Sequence, residues 1–136
     1  MENPQKLLHK LPKTERLHSH NAISDLFTKG KSFYIHPFKV IVLERKPDSQ
    51  LPEIRILTSV SKKKFKLAVD RNRVKRLIKE VWRTQKMPVF QHLNNQGIHL
   101  DIALIFTGHH LPDFFFIQKK INAVIKRLIQ DYEVAD

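Results

Sequence analysis

Residues 62–86 concentrate the chain's capacity for chemistry. Eleven cations fall in this window (Lys62, Lys63, Lys64, Lys66, Arg71, Arg73, Lys75, Arg76, Lys79, Arg83 and Lys86) against two acids, Asp70 and Glu80. The segment thus carries +9 of the formal net charge of +12. A solvated surface without a partner normally mixes signs. Cations gathered in one place suit a polyanionic backbone, where each neutralised phosphate releases counterions. The chemistry indicated is phosphate binding.

Groups for other chemistries are scarce. The 136 residues include no Cys and only three Gly, which removes thiolate sites and a Gly-rich phosphate loop. No Ser/His/Asp arrangement is persuasive. The 13 acids form no tight motif, which argues against a stand-alone nuclease built on carboxylate-held metal. His18 with His20, and His109 with His110, are the close His pairs; without Cys and with few nearby acids they read as solvated loop histidines rather than metal ligands. Asp101 reads as a capping or pairing carboxylate.

The elements that must position the cations follow from periodicity. At about 100° per residue from Arg71, the residues Lys75, Lys86, Lys79, Asn72, Arg83 and Arg76 follow one another around one face of a helix. Val74, Leu77, Ile78, Val81 and Trp82 occupy the opposite face, with Arg73 apart beside Glu80. Like charges at 71/75, 75/79 and 79/83 repel by a few tenths of a kcal/mol each, about what an i,i+4 pair is worth. Phosphates would reverse that sign. Asp70 is the expected N-cap, Pro88 the expected stop, and the free amides at the helix start add an anion site.

Around this helix, residues 1–13 read as a flexible basic arm, 14–132 as one domain and 133–136 as a tail. A first helix is expected with Ser19 or Asn21 as its cap, Ile23, Leu26 and Phe27 on one face, and Gly30 at its end. Strands are expected at 38–44 and 54–60, joined as an antiparallel hairpin across a long loop. Residues 86–98 read as loop, 99–108 as a buried strand, and the chain closes in a helix capped by Asp113. Its stripe is Phe114, Ile117, Ile121, Val124, Ile125, Leu128 and Ile129. Phe114, Phe115 and Phe116 read as core and helix-start packing rather than as a stacking platform, although three adjacent residues cannot all face inward. The order is α-β-β-α-β-α in an α+β fold. No apolar run approaches the roughly 20 residues a membrane span needs, and the absence of Cys suits the cytoplasm.

The segment Ser59-Val60-Ser61-Lys62-Lys63 followed by Arg71-Asn72-Arg73-Val74-Lys75-Arg76 resembles the signature of the bacterial ribonuclease P protein subunit. Residues 15–33, "ERLHSHNAISDLFTKGKSF", are similar to that family's opening segment. The resemblance implies an α-β sandwich of ribosomal protein S5 domain 2-like type, with a mostly antiparallel sheet and a left-handed βαβ crossover. It implies a protein that binds the catalytic RNA of ribonuclease P and the 5′ leader of precursor tRNA. Catalysis then belongs to the RNA and its Mg2+ ions, with none tightly bound by the protein. Carried over, Lys62, Lys63, Lys64, Lys66, Arg71, Asn72, Arg73, Lys75, Arg76, Lys79 and Arg83 face RNA. Phe27, Phe38, Ile23 and Ile41 line the leader cleft, with Ile23 and Ile41 standing where the family often has aromatics. The connection between the Lys-Lys pair and Arg71 must turn without the Gly that many members carry. A ribosomal-type structural RNA-binding protein is the alternative.

Overall fold

The computed structural model describes residues 11–48 and 50–132. Most of the expected basic arm, and the tail at 133–136, lie outside the described residues. A 3-10 turn at Lys13–Glu15 is followed by α1 (His20–Lys29), β1 (Lys31–Ile35), β2 (Phe38–Arg45), β3 (Ile54–Val60), α2 (Ala68–Gln85), α3 (Met87–Gln96), β4 (His99–Phe106) and α4 (Phe114–Asp131).

The sheet order is β1-β2-β4-β3. β1 and β2 are antiparallel, β2 and β4 are antiparallel, and β3 runs parallel to β4. The fold is therefore α+β with a mostly antiparallel sheet. The expected hairpin between 38–44 and 54–60 does not form, because β4 lies between those two strands. Burial explains the choice. All of β4 except His99 and Ile105 is buried, so it needs neighbours on both edges and cover on both faces. β3 alternates buried and half-buried residues and tolerates an edge. Part of that edge is covered: Arg16 bridges Ile56, and Leu17 N–H donates to the Ile56 carbonyl at 2.7 Å.

Two further elements depart from expectation. Lys31–Ile35 is a strand, pairing Phe33 with Val40 and Ile35 with Phe38. Residues 87–96 form α3 instead of a loop. Pro88 does not stop a helix here but sits in the first turn of the next one, where amides have no intrahelical partner to lose. Gly97, at φ 66°, ends α3 in the left-handed region that Gly adopts without a Cβ penalty.

One face of the sheet carries the main core. Val74, Ile78, Val81 and Trp82 of α2, Val89 and Leu93 of α3, and Ile117, Ile121, Val124, Ile125 and Leu128 of α4 pack there against Val40, Ile56, Ile102 and Leu104. The other face is covered only in part. Leu26 of α1, with Leu17, meets Ile41 and Ala103, flanked by Ala22 and Ile23. Ser19 caps α1, its Oγ accepting from Ala22 N–H at 3.5 Å, and Asp113 caps α4, accepting from Phe116 N–H at 2.8 Å. Gly30 ends α1 for lack of space, not for its φ of −69°: a Cβ there would lie 2.4 Å from the Leu26 carbonyl oxygen.

Candidate nucleic-acid interface

α2 begins at Ala68 with Leu67 at the N-cap and no capping side chain, so Asp70 lies inside the first turn rather than capping it. The turn that feeds it is held without glycine. Ser61 accepts from Lys63 N–H at 3.2 Å and from Phe65 N–H at 3.1 Å. The Phe65 ring is buried 6.1 Å from that of Phe106. Arg71 Nη1 donates to the carbonyls of Phe65 and Lys66 at 2.7 and 2.9 Å. Lys64 Nζ donates to the Thr107 carbonyl. Arg71 and Lys64 therefore build the turn as well as adding charge to it, whereas Lys62, Lys63 and Lys66 stand exposed.

Burial of Val74, Ile78, Val81 and Trp82 fixes the rotation of α2 about its axis. With that stripe inward, Asn72, Arg73 and Arg76 are exposed, and Lys75 and Lys79 are half-buried. Arg83 is engaged: its guanidinium pairs with Glu80 at 2.6 Å, which lowers the Glu80 pKa and raises that of Arg83.

Lys75 and Lys79 face a groove of about 340 Å³ whose other wall is Lys13, Arg16, Leu17 and His18, over a floor of Ile56, Leu57 and Thr58. Partial burial holds the Lys79 ammonium below its ordinary range, and the like charges of Arg16 and Lys75 push the same way. Five basic side chains thus converge where the N-terminal segment runs along β3. Lys13 and Arg16 were not singled out from the sequence, and His18 was read there only as a solvated loop histidine. Their place depends on the Arg16–Ile56 bridge, a pairing between residues forty apart. That segment is pinned at its start by a buried ion pair, Lys86 Nζ to Glu15 Oε1 at 2.7 Å. Burial raises the Glu15 pKa, with the Lys86 hydrogen bond opposing.

The four residues expected in a cleft do not share one surface. Phe27 is 48% exposed on α1. Ile23 is half-buried beside the small cluster that contains Ile41. Ile41 is 6% exposed under α1, so it supports that helix rather than meeting a partner. Phe38 is a correction. It is fully buried in the main core, in edge contact with Phe106 at 5.7 Å, on the face opposite Ile41. The two-residue period of β2 puts Phe38 with Val40 and Val42, so its ring cannot reach a base. An exposed aromatic overlooked in the sequence is Tyr34, which strand register places on the Ile41 side. Its hydroxyl lies 2.8 Å from Thr107 Oγ1. The alternation of Lys31 to Ile35 was the available signal.

Asp101 serves structure. Arg55 grips both its carboxylate oxygens at 2.8 Å, and Arg45 Nε donates at 3.0 Å.

Comparison with known proteins agrees with this geometry. The ribonuclease P family model matches residues 11–129. A ribonuclease P protein component from Porphyromonas gingivalis is 34% identical over 118 residues, covering 87% of this chain and 85% of that one. The corresponding protein of Chlorobaculum tepidum is 37% identical over 132 residues, covering 93% and 85%. The solved RNase P protein of Staphylococcus aureus superposes with a TM-score of 0.66 at 25% identity, covering 83% of this chain and 94% of that one. The chain belongs to the ribonuclease P protein family.

Proposed function

We propose that this chain binds the catalytic RNA of ribonuclease P and the 5′ leader of precursor tRNA, and so assists Mg2+-dependent removal of that leader. Family membership supports the general role, tRNA processing as the protein component of an endoribonuclease. The observation that carries the finer reading is the α2 face with its groove. Lys75, Lys79, Lys13, Arg16 and His18 converge there with no carboxylate among the lining residues. Arg73 and Arg76 extend the same surface, and Lys62, Lys63 and Lys66 precede it. Such a cation set matches backbone phosphates and carries no base-edge code of its own.

In this reading the RNA subunit supplies the chemistry. Among the described residues no cluster of three or more His, Asp or Glu side chains is placed to hold a metal ion. In this reading Mg2+ is held mainly by the RNA. The leader contact falls to the α1 side of the sheet, where Phe27 and Tyr34 present rings on which unpaired bases stack. Ile23 and Ile41 support that surface from beneath. No helix among the described residues is long and apolar enough to cross a membrane.

Reconstitution tests the reading. The protein is mixed with bacterial ribonuclease P RNA and precursor tRNA at limiting Mg2+. Faster leader removal than with RNA alone is expected. No gain over RNA alone would defeat it, and cleavage by the protein alone would reassign the chemistry.

A further inference from the structure

The Phe114–Phe116 run is only partly used by the core. Phe114 packs against it, whereas Phe115 and Phe116 are 76% and 40% exposed. The two rings are held in place. Asp113 fixes the helix start through Phe116 N–H, and the Phe114 and Phe115 rings meet edge-on at 5.9 Å. Lys120 Nζ sits 5.7 Å from the centre of the Phe116 ring. Lys119 is exposed one turn beyond Phe115. Phe114 also forms a wall of a cleft of about 510 Å³, closed on the α2 side by Arg73, Arg76 and Leu77. Through Arg76, this surface continues into the cationic face of α2.

We propose that Phe115 and Phe116 form a stacking platform for unpaired nucleotides of the RNA that α2 holds, with Lys119 and Lys120 meeting the flanking phosphates. The proposal rests on the reading of α2 as an RNA-binding helix. Every base has a π-face, so rings interleaved with cations bind single strands with little regard to sequence. Charge decides the occupant. A second copy of the chain would bring another +12 onto a surface edged by Lys119, Lys120, Arg73 and Arg76. Glu80 and the capping Asp113 are the acids lining the adjoining cleft. A polyanion is attracted where a like-charged protein is repelled.

The test compares wild type with Phe115→Ala/Phe116→Ala, using an unstructured oligoadenylate and a fully paired RNA of equal length. Affinity for the single strand should fall about tenfold or more, in line with the loss of base–aromatic stacking, while duplex affinity stays level. In Phe115→Trp, oligoadenylate binding should be retained and should quench the indole emission. Wild-type affinity for oligoadenylate in the double variant, or an unquenched indole, overturns the proposal. An equal loss for duplex and single strand also overturns it, since that pattern is charge or fold and not stacking. If sedimentation shows wild type to self-associate and the double variant not to, the platform belongs to a second copy instead. Arg71→Ala with Arg76→Ala separates the two readings. Failure of that variant to weaken RNA binding sinks the α2 reading, whereas a loss there with none in the Phe variant sinks the platform alone.

Discussion

The cations of α2 are unequal, and salt dependence should rank them. Lys75, Arg76 and Lys79 have no hydrogen-bond or ion-pair partner among the described residues, so their charges are available to phosphates. Each cation that meets a phosphate contributes about 0.7–0.9 to the slope of log affinity against log salt. The triple variant Lys75→Gln/Arg76→Gln/Lys79→Gln should therefore flatten that slope by about 2–3. Across a tenfold rise in salt, it should lose about 2–3 decades less affinity than wild type does. Arg71→Gln should behave differently. Its guanidinium holds the carbonyls of Phe65 and Lys66, so the variant should flatten the slope by no more than about one unit and also lower the melting temperature. Arg83 is tied to Glu80 at 2.6 Å. The assay is fluorescence anisotropy of labelled ribonuclease P RNA across a salt series. A triple variant that keeps the wild-type slope would refute the assignment of these side chains to phosphates.

Two further outcomes concern the stability of the fold itself. Asp101→Asn should destabilise the fold by about 3–5 kcal/mol, because it removes the countercharge of two guanidiniums in a largely buried site; the side chains of Arg45 and Arg55 are only 12% and 16% exposed. Urea unfolding measures it, and a loss under about 1 kcal/mol, the value of an exposed pair, would show the site to be wet. Lys79 gives a pH dependence. Burial first, then Arg16 and Lys75, lower its pKa from 10.5 in the folded chain. In the window between that lowered pKa and 10.5 the unfolded chain binds more protons, so Lys79 makes stability rise with pH there. Lys79→Gln should remove that rise in melts taken at successive pH values; an unchanged pH profile would mean that Lys79 titrates normally.

Periodicity made the main elements readable. The α2 stripe was legible because five apolar residues recur at helical spacing, and four of them are buried. β3 was legible because strict alternation matched a half-covered edge strand. What failed depended on distant partners. Nothing local to residues 38–60 reveals that β4 enters between β2 and β3, so adjacency in sequence was mistaken for adjacency in the sheet. Phe38 was misplaced for a related reason. β2 is apolar on both sides, so its alternation does not say which face holds the core. Pro88 has the same local meaning, an absent N–H, whether it ends one helix or begins another. Val89 and Leu93 decide between the two by being buried.

The proposed RNA-binding face is inseparable from the core in a specific way. α2 has no capping side chain at its start and carries repelling cations along its length, so local terms alone do not hold it in register. Its orientation comes from Trp82, Ile78, Val81 and Val74 seated against the sheet and α4. The groove has a similar origin on its other wall. Arg16 stands opposite Lys79 because Leu17 is buried and because Glu15 is paired with Lys86 at the end of the same helix. Electrostatic cost at the surface is thus offset by apolar burial and one buried ion pair. A phosphate bound between Arg16 and Lys79 would reverse the sign of the very repulsion that depresses the Lys79 pKa. The charges that weaken this part of the fold in isolation are the ones that strengthen it once a polyanion is in place.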